Sequence, residues 1–139
     1  MLKKSGAFTA KLQSFNDVRT FVEEFAQAAA IAREDCHKLT LVVEELFTNT
    51  VRHGHRGDSN APVELTLEHD GARTSVIYED TAPKYDSLAA AMGTDIESTI
   101  KRRHVGGLGM VLTFALAESA QYVFANGKNR ILIRLRPPR

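Results

Sequence analysis

Residues 42–54 read Val42-Val43-Glu44-Glu45-Leu46-Phe47-Thr48-Asn49-Thr50-Val51-Arg52-His53-Gly54, and they decide the fold. Leu39, Val42, Val43, Leu46, Phe47 and Val51 recur at helical spacing, which predicts a helix with one apolar face and a stop at Gly54. At about 100° per residue, Glu45 and Asn49 lie ~40° apart and ~6 Å along the axis, on one flank of that face. A carboxylate and an amide at the edge of a buried stripe need hydrogen bonds, water or a ligand, because burying either without a partner costs about 1–3 kcal/mol. Oxygen donors of this kind suit Mg²⁺, which keeps several waters and takes one or two protein oxygens beside substrate phosphates. Asn49 is then the candidate metal ligand and Glu45 the candidate base. Spacing alone leaves open that both are solvated flank residues.

Upstream, Phe8, Ala10 and Leu12 alternate with Thr9 and Lys11, the period of a half-buried strand. Ser14 is a candidate N-cap with Asp17 at N3, and Phe15, Val18, Phe21, Val22, Phe25, Ala28, Ala29 and Ala32 give a first helix over residues 15–32. Downstream, residues 55–62 read as a polar loop. Val63, Leu65 and Leu67 then start a strand, and Asp70-Gly71 signals a hairpin to a returning strand over 73–79 that ends at Asp80. Residues 81–105 have weak periodicity and are expected to form a mobile connection. A glycine-led helix over 106–118, a strand over 120–125, an Asn126-Gly127 turn and a strand over 130–136 complete the pattern. Hairpins beside three helices predict an α+β layer packing.

Two further segments carry chemical potential. Gly106-Gly107-Leu108-Gly109 opens a helix, where glycines permit close backbone approach and free N–H groups face an anion such as phosphate. A packing-driven glycine cluster is the alternative. The Gly-x4-Gly-Lys-Ser/Thr loop and a dinucleotide GxGxxG after a strand are both absent. Asp80, at a strand end in Tyr78-Glu79-Asp80-Thr81-Ala82-Pro83-Lys84-Tyr85-Asp86, either accepts a hydrogen bond from an exocyclic amine or caps the following turn.

The 139 residues are 43% apolar and 25% charged, ordinary globular usage, and their length predicts one domain over 1–139. A formal net charge of +1 lacks the electrostatic footprint of a nucleic-acid binder, so no direct nucleic-acid contact is expected. The nearly apolar run over 106–117 is shorter than the ~18 residues of a membrane span, and Lys3 and Lys4 are not followed by the apolar stretch of a secretory signal. Cys36, the single cysteine, has no partner for an internal bridge, which fits a reducing cytoplasm. His53 and His55 flank Gly54 without further ligands at zinc spacing and are expected at a pocket mouth.

Taken in order, Glu45-x3-Asn49 on a helix, Asp80 after a strand and Gly106-Gly107-x-Gly109 before a helix resemble the N, G1 and G2 boxes of the GHKL ATPase superfamily. The phrase from Val43 to Gly54, with the short length, is similar to the anti-sigma factor serine/threonine kinases, over residues 8–135. Asp86 after the aromatic Tyr85 fits the same pattern. The resemblance implies a Bergerat-type fold, a two-layer sandwich of a mixed β-sheet covered on one face by about three helices, with ATP and Mg²⁺ as cofactors. It implies that Asn49 coordinates Mg²⁺, Glu45 orients or deprotonates the attacking hydroxyl, and Asp80 accepts a hydrogen bond from the adenine amino group. His53, Ala82, Tyr85 and Leu108 are expected to line the nucleotide site, while Gly106, Gly107 and Gly109 bring N–H groups to the phosphates. The implied activity is transfer of the ATP γ-phosphoryl group to a serine or threonine of a STAS-domain anti-anti-sigma factor, with a sigma factor as second partner and a homodimer by analogy. The alternative is a non-catalytic, nucleotide-responsive anti-sigma or regulatory module. Two departures stand out. Ala82 replaces the usual glycine, so its methyl is expected to crowd the purine or restrict the turn. Val105 precedes the glycine box where a basic residue is common, leaving Arg103, among Lys101, Arg102 and His104, to serve the phosphates.

Overall fold

The computed structural model describes residues 1–86 and 105–138, with residues 105–109 described by backbone alone. The chain forms β1 (Leu2–Thr9), a short tight turn (Leu12–Ser14), α1 (Phe15–Ala28), α2 (Arg33–Asn49) and a wider helical turn (Thr50–Gly54). Then come β2 (Pro62–His69), β3 (Thr74–Asp80), α3 (Val105–Leu116), β4 (Ala117–Ala125) and β5 (Lys128–Leu135). The strands make one five-stranded sheet in the order β1-β2-β3-β5-β4.

Among the described residues every hydrogen-bonded pair is antiparallel, so the sheet they form is not mixed as the resemblance implied. The cause is the connectivity. Two successive helices link β1 to β2, which returns the chain in the opposite sense, β2/β3 and β5/β4 are hairpins, and β5 reaches β3 only after the chain has passed through α3 and β4. Strands β3 and β4 run in the same direction, but β5 lies between them, so no parallel ladder forms.

Alternation places Val63, Leu65 and Leu67 of β2 and Ile131, Ile133 and Leu135 of β5 on one buried face, with Glu64, Glu68, Arg130 and Arg134 on the other. Val18, Val22 and Phe25 of α1, Leu39, Val42, Val43, Leu46 and Phe47 of α2, and Met110 and Val111 of α3 join that face in one core. The α+β layering is as expected, with helices on one side of the sheet. No helix among the described residues is long and apolar enough to cross a membrane.

Local departures have local causes. β1 starts at Leu2, because pairing runs from Leu2 opposite His69 to Thr9 opposite Pro62, and Leu12 opens the tight turn instead of extending the strand. Ser14 precedes α1 without capping it, since its hydroxyl lies 2.7 Å from that of Thr9. α1 stops at Ala28, not residue 32. Ala30 takes φ 55°, its N–H meets the Gln27 carbonyl at 3.2 Å, and the Ile31 N–H reaches the Ala26 carbonyl at 2.9 Å. That is a Schellman ending with alanine where glycine is usual. α3 ends at Leu116 and passes directly into β4, whose pairing begins at Ala117. The Asn126-Gly127 turn has both φ values positive, 56° and 74°, as a type I′ hairpin requires. The connection anticipated over 81–105 lies largely outside the described residues.

Candidate functional site

The apolar stripe that seats α2 on the sheet rotates Asn49 inward. Asn49 is 3% exposed, yet its amide makes no hydrogen bond to another described residue. One turn earlier, Glu45 is half-buried and also lacks an ion pair or hydrogen bond among the described residues. Desolvation, reinforced by the Glu44 charge, raises its pKa above the ordinary carboxylate value, and Arg52 opposes the shift. The two groups brought together by helical spacing are thus both unpartnered, one of them buried.

Beyond Asn49 the helix widens. The His55 N–H reaches the Thr50 carbonyl at 2.9 Å, five residues back, and the Gly57 N–H the Val51 carbonyl at 2.7 Å. Such wide turns concentrate at functional sites. Here the turn brings Gly54 against the segment after β3: a methyl on Gly54 would sit 2.8 Å from the Ala82 Cβ and 3.0 Å from Tyr85 Cε1. The Ala82 methyl therefore packs where Gly54 has no side chain. Ala82 is not among the positive-φ residues, so the turn does not demand glycine there.

Asp80, 2% exposed, is the centre of a polar cluster. Its Oδ1 accepts the Ala82 N–H at 3.1 Å and Asn129 Nδ2 at 2.9 Å. Its Oδ2 accepts the hydroxyls of Thr50 at 2.7 Å and Tyr85 at 2.9 Å. Thr50 Oγ1 lies 2.6 Å from Tyr78 OH; with the threonine proton on Asp80, Tyr78 donates to Thr50. Asn129 also donates to the carbonyls of Ala82 (3.0 Å) and Pro83 (3.2 Å), while its Oδ1 accepts the Tyr85 N–H at 3.1 Å and the Tyr122 hydroxyl. Burial pushes the Tyr78 and Tyr85 phenols far above their usual range, and for Tyr85 the Asp80 carboxylate adds to the shift. Both stay protonated and donate.

Of the two readings the sequence left open, the structure shows the cap: Asp80 accepts the Ala82 N–H, and its carboxylate is buried. Thr50, Tyr78 and Asn129 were not anticipated. Thr50 had a signal, a hydroxyl directly beside the candidate ligand Asn49. Asn129 had none, because only the β3/β5 register sets it opposite Asp80. His53 lies exposed on the wide turn, whereas His55 Nε2 is buried without a partner among the described residues. Gly106, Gly107, Leu108 and Gly109 form the first turns of α3, which packs on α2; first-turn N–H groups have no intrahelical acceptor. Arg103 lies outside the described residues, as do Lys101, Arg102 and His104.

Residues 8–135 match the histidine kinase-like ATPase domain. The chain belongs to that family. An ATPase domain implies ATP binding. No curated protein sequence matches the chain. Among solved structures, one similar chain is the RsbU and RsbW domains of Rv1364c from Mycobacterium tuberculosis, at 17% identity and TM-score 0.65, covering 100% of this chain and 33% of that one. Another is in the SiaB-SiaC complex from Pseudomonas aeruginosa, at 12% identity and TM-score 0.64, covering 95% of this chain and 88% of that one. This chain spans about a third of the mycobacterial one, and at these identities the likeness is one of fold.

Proposed function

We propose that this ATPase domain is a protein serine/threonine kinase acting as an anti-sigma switch, which transfers the ATP γ-phosphoryl group to a serine or threonine of a STAS-domain anti-anti-sigma factor. The observation that carries the reading is the Asn49 amide, on a 3% exposed residue without a hydrogen bond among the described residues, one helical turn from the half-buried Glu45. An amide and a carboxylate that no neighbouring side chain engages are free to take a ligand, and the Asn49 amide is not sealed in the core. The likeness to chains containing an RsbW domain and to the SiaB-SiaC complex supports a partner-switching role. A sigma factor as second target and a homodimer belong to the same proposal.

The donor set fits Mg²⁺. Among the described residues no three His, Cys, Asp or Glu side chains gather to hold an ion alone. A single amide oxygen beside substrate phosphates and water suits Mg²⁺, which would be held by Asn49 and, when bound, neutralises phosphate charge. The chain's own residues position the reactants. Asp80 holds the base through its amino group. The first-turn amides of α3 face the phosphates, supplemented by Arg103. Glu45, its proton affinity raised by desolvation, accepts the proton of the attacking hydroxyl as its oxygen bonds to the γ-phosphorus and the bond to the β,γ-bridging oxygen breaks. Little else is needed, since phosphoryl transfer depends on positioning and charge neutralisation.

The test pairs calorimetry of ATP, with and without Mg²⁺, with radiolabelled transfer to a cognate STAS-domain protein. Asn49→Ala is expected to lose the Mg²⁺-dependent part of ATP binding, and Glu45→Gln to retain binding while losing transfer by about 10²-fold or more. Firm ATP binding with no transfer to any STAS partner refutes the kinase half and leaves a nucleotide-responsive binding module.

A further inference from the structure

Asp80 has no acceptor capacity to spare. A carboxylate offers about four lone-pair sites, and Ala82 N–H, Asn129 Nδ2, Thr50 Oγ1 and Tyr85 OH occupy them at 3.1, 2.9, 2.7 and 2.9 Å. A base amino group reaches Asp80 only by replacing one of these donors.

The donors differ in how firmly they are held. Thr50 is wholly buried and linked to Tyr78; Asn129 is 3% exposed and tied to two carbonyls besides; the Ala82 N–H is main chain at a 1% exposed residue. Tyr85, partly buried, is the most accessible member. Its backbone is anchored, N–H to Asn129, while its ring rests edgewise on the bare face of Gly54 and reaches Asp80 only through the hydroxyl. Its hydroxyl also lies 3.1 Å from Thr50 Oγ1; rotation about its side-chain bonds gives up that contact and vacates one site on Oδ2, while Thr50, Asn129 and the Ala82 N–H keep their own bonds to Asp80.

We propose that the Tyr85 side chain fills the base subsite, its hydroxyl standing in for the exocyclic amine of an adenine nucleotide, and that nucleotide binds by displacing this phenol from Asp80. The inference rests on the reading of Asp80 as the acceptor of the base amine. Each binding event exchanges one donor on Oδ2 for another, so the hydrogen bond to Asp80 adds little net affinity in the wild type. Phenylalanine at position 85 removes the competitor's hydrogen bond and leaves the carboxylate short of a donor until nucleotide arrives.

The experiment measures Mg²⁺-ATP binding by calorimetry to the wild type and to Tyr85→Phe. A hydrogen bond to a charged group is worth about 1.5–3 kcal/mol, so the variant is expected to bind about tenfold more tightly or better. In parallel, ¹⁹F NMR of the wild type labelled with 3-fluorotyrosine follows the three tyrosine signals, assigned by Tyr78→Phe and Tyr122→Phe; the Tyr85 signal is expected to move on ATP addition. Wild-type binding with equal or weaker affinity in Tyr85→Phe overturns the displacement and leaves the nucleotide reading standing. A Tyr85 signal unmoved at saturating ATP does the same, even if the variant fails to fold. Absence of ATP binding to both proteins overturns the nucleotide reading and the displacement together.

Discussion

Replacing Gly54 with alanine tests the contact between the wide helical turn and the segment after β3. The new methyl would stand 2.8 Å from the Ala82 Cβ and 3.0 Å from Tyr85 Cε1. Carbon pairs settle at about 3.5–4.0 Å, so the two segments must part by roughly 0.7 Å. Overpacking of this kind costs about 1–3 kcal/mol, while the better helical propensity of alanine returns up to about 1 kcal/mol. We expect Gly54→Ala to destabilise by about 1–2 kcal/mol, or roughly 3–6 °C in Tm for a chain of this size. Ala82→Gly alone removes a buried methyl, about 0.8 kcal/mol, and adds unfolded-state freedom of about 0.4–1 kcal/mol. If the two sites were independent, the double variant would lose about 3 kcal/mol, the sum of the singles. Because the methyls compete for one space, the double variant is expected to be at least as stable as Ala82→Gly. Urea denaturation of the four proteins, with equal m-values, measures the coupling. Gly54→Ala as stable as wild type, or a double variant showing simple additivity, refutes the packing account.

Ala30, exposed at φ 55° in the Schellman ending of α1, carries a side chain in a conformation that suits glycine; Ala30→Gly is expected to raise stability by about 1 kcal/mol, read from the urea midpoint. Thr50→Val keeps shape but strips Asp80 of one donor and leaves the buried Tyr78 hydroxyl without its acceptor, so a loss of about 2–4 kcal/mol is expected by thermal melting. Glu45 has its folded pKa raised above the unfolded value, so its charged form opposes folding at pH above the folded pKa, and the penalty fades as pH falls through the raised pKa toward the unfolded value. Glu45→Gln should accordingly gain stability relative to wild type at pH 7 and lose that advantage near pH 4, in paired melts at both pH values; an advantage that grows on acidification contradicts the desolvation.

Periodicity exposed most of the helices, because apolar spacing is a property of neighbouring residues. It placed α2, put Glu45 and Asn49 on one flank, and located the Asn126-Gly127 hairpin through residues that tolerate positive φ. It failed where local preference is overruled. Residues 29–32 continue the helical pattern, yet Ala30 turns left-handed and ends α1. Residues 2–7 barely alternate, yet pairing with β2 makes them a strand. Periodicity also gave no sign that the Ala82 methyl packs against the bare face of Gly54, 28 positions earlier.

The sequence by itself determined the helical and hairpin segments and the order of the three boxes, since helical phase and turn chemistry act over a few residues. Tertiary structure alone decided the antiparallel sheet, the inward turn of Asn49 at 3% exposure, and the four donors that close around Asp80. Those donors come from positions 50, 82, 85 and 129. Their meeting depends on strand register and on the widened end of α2, both set by long-range packing that no local pattern encodes.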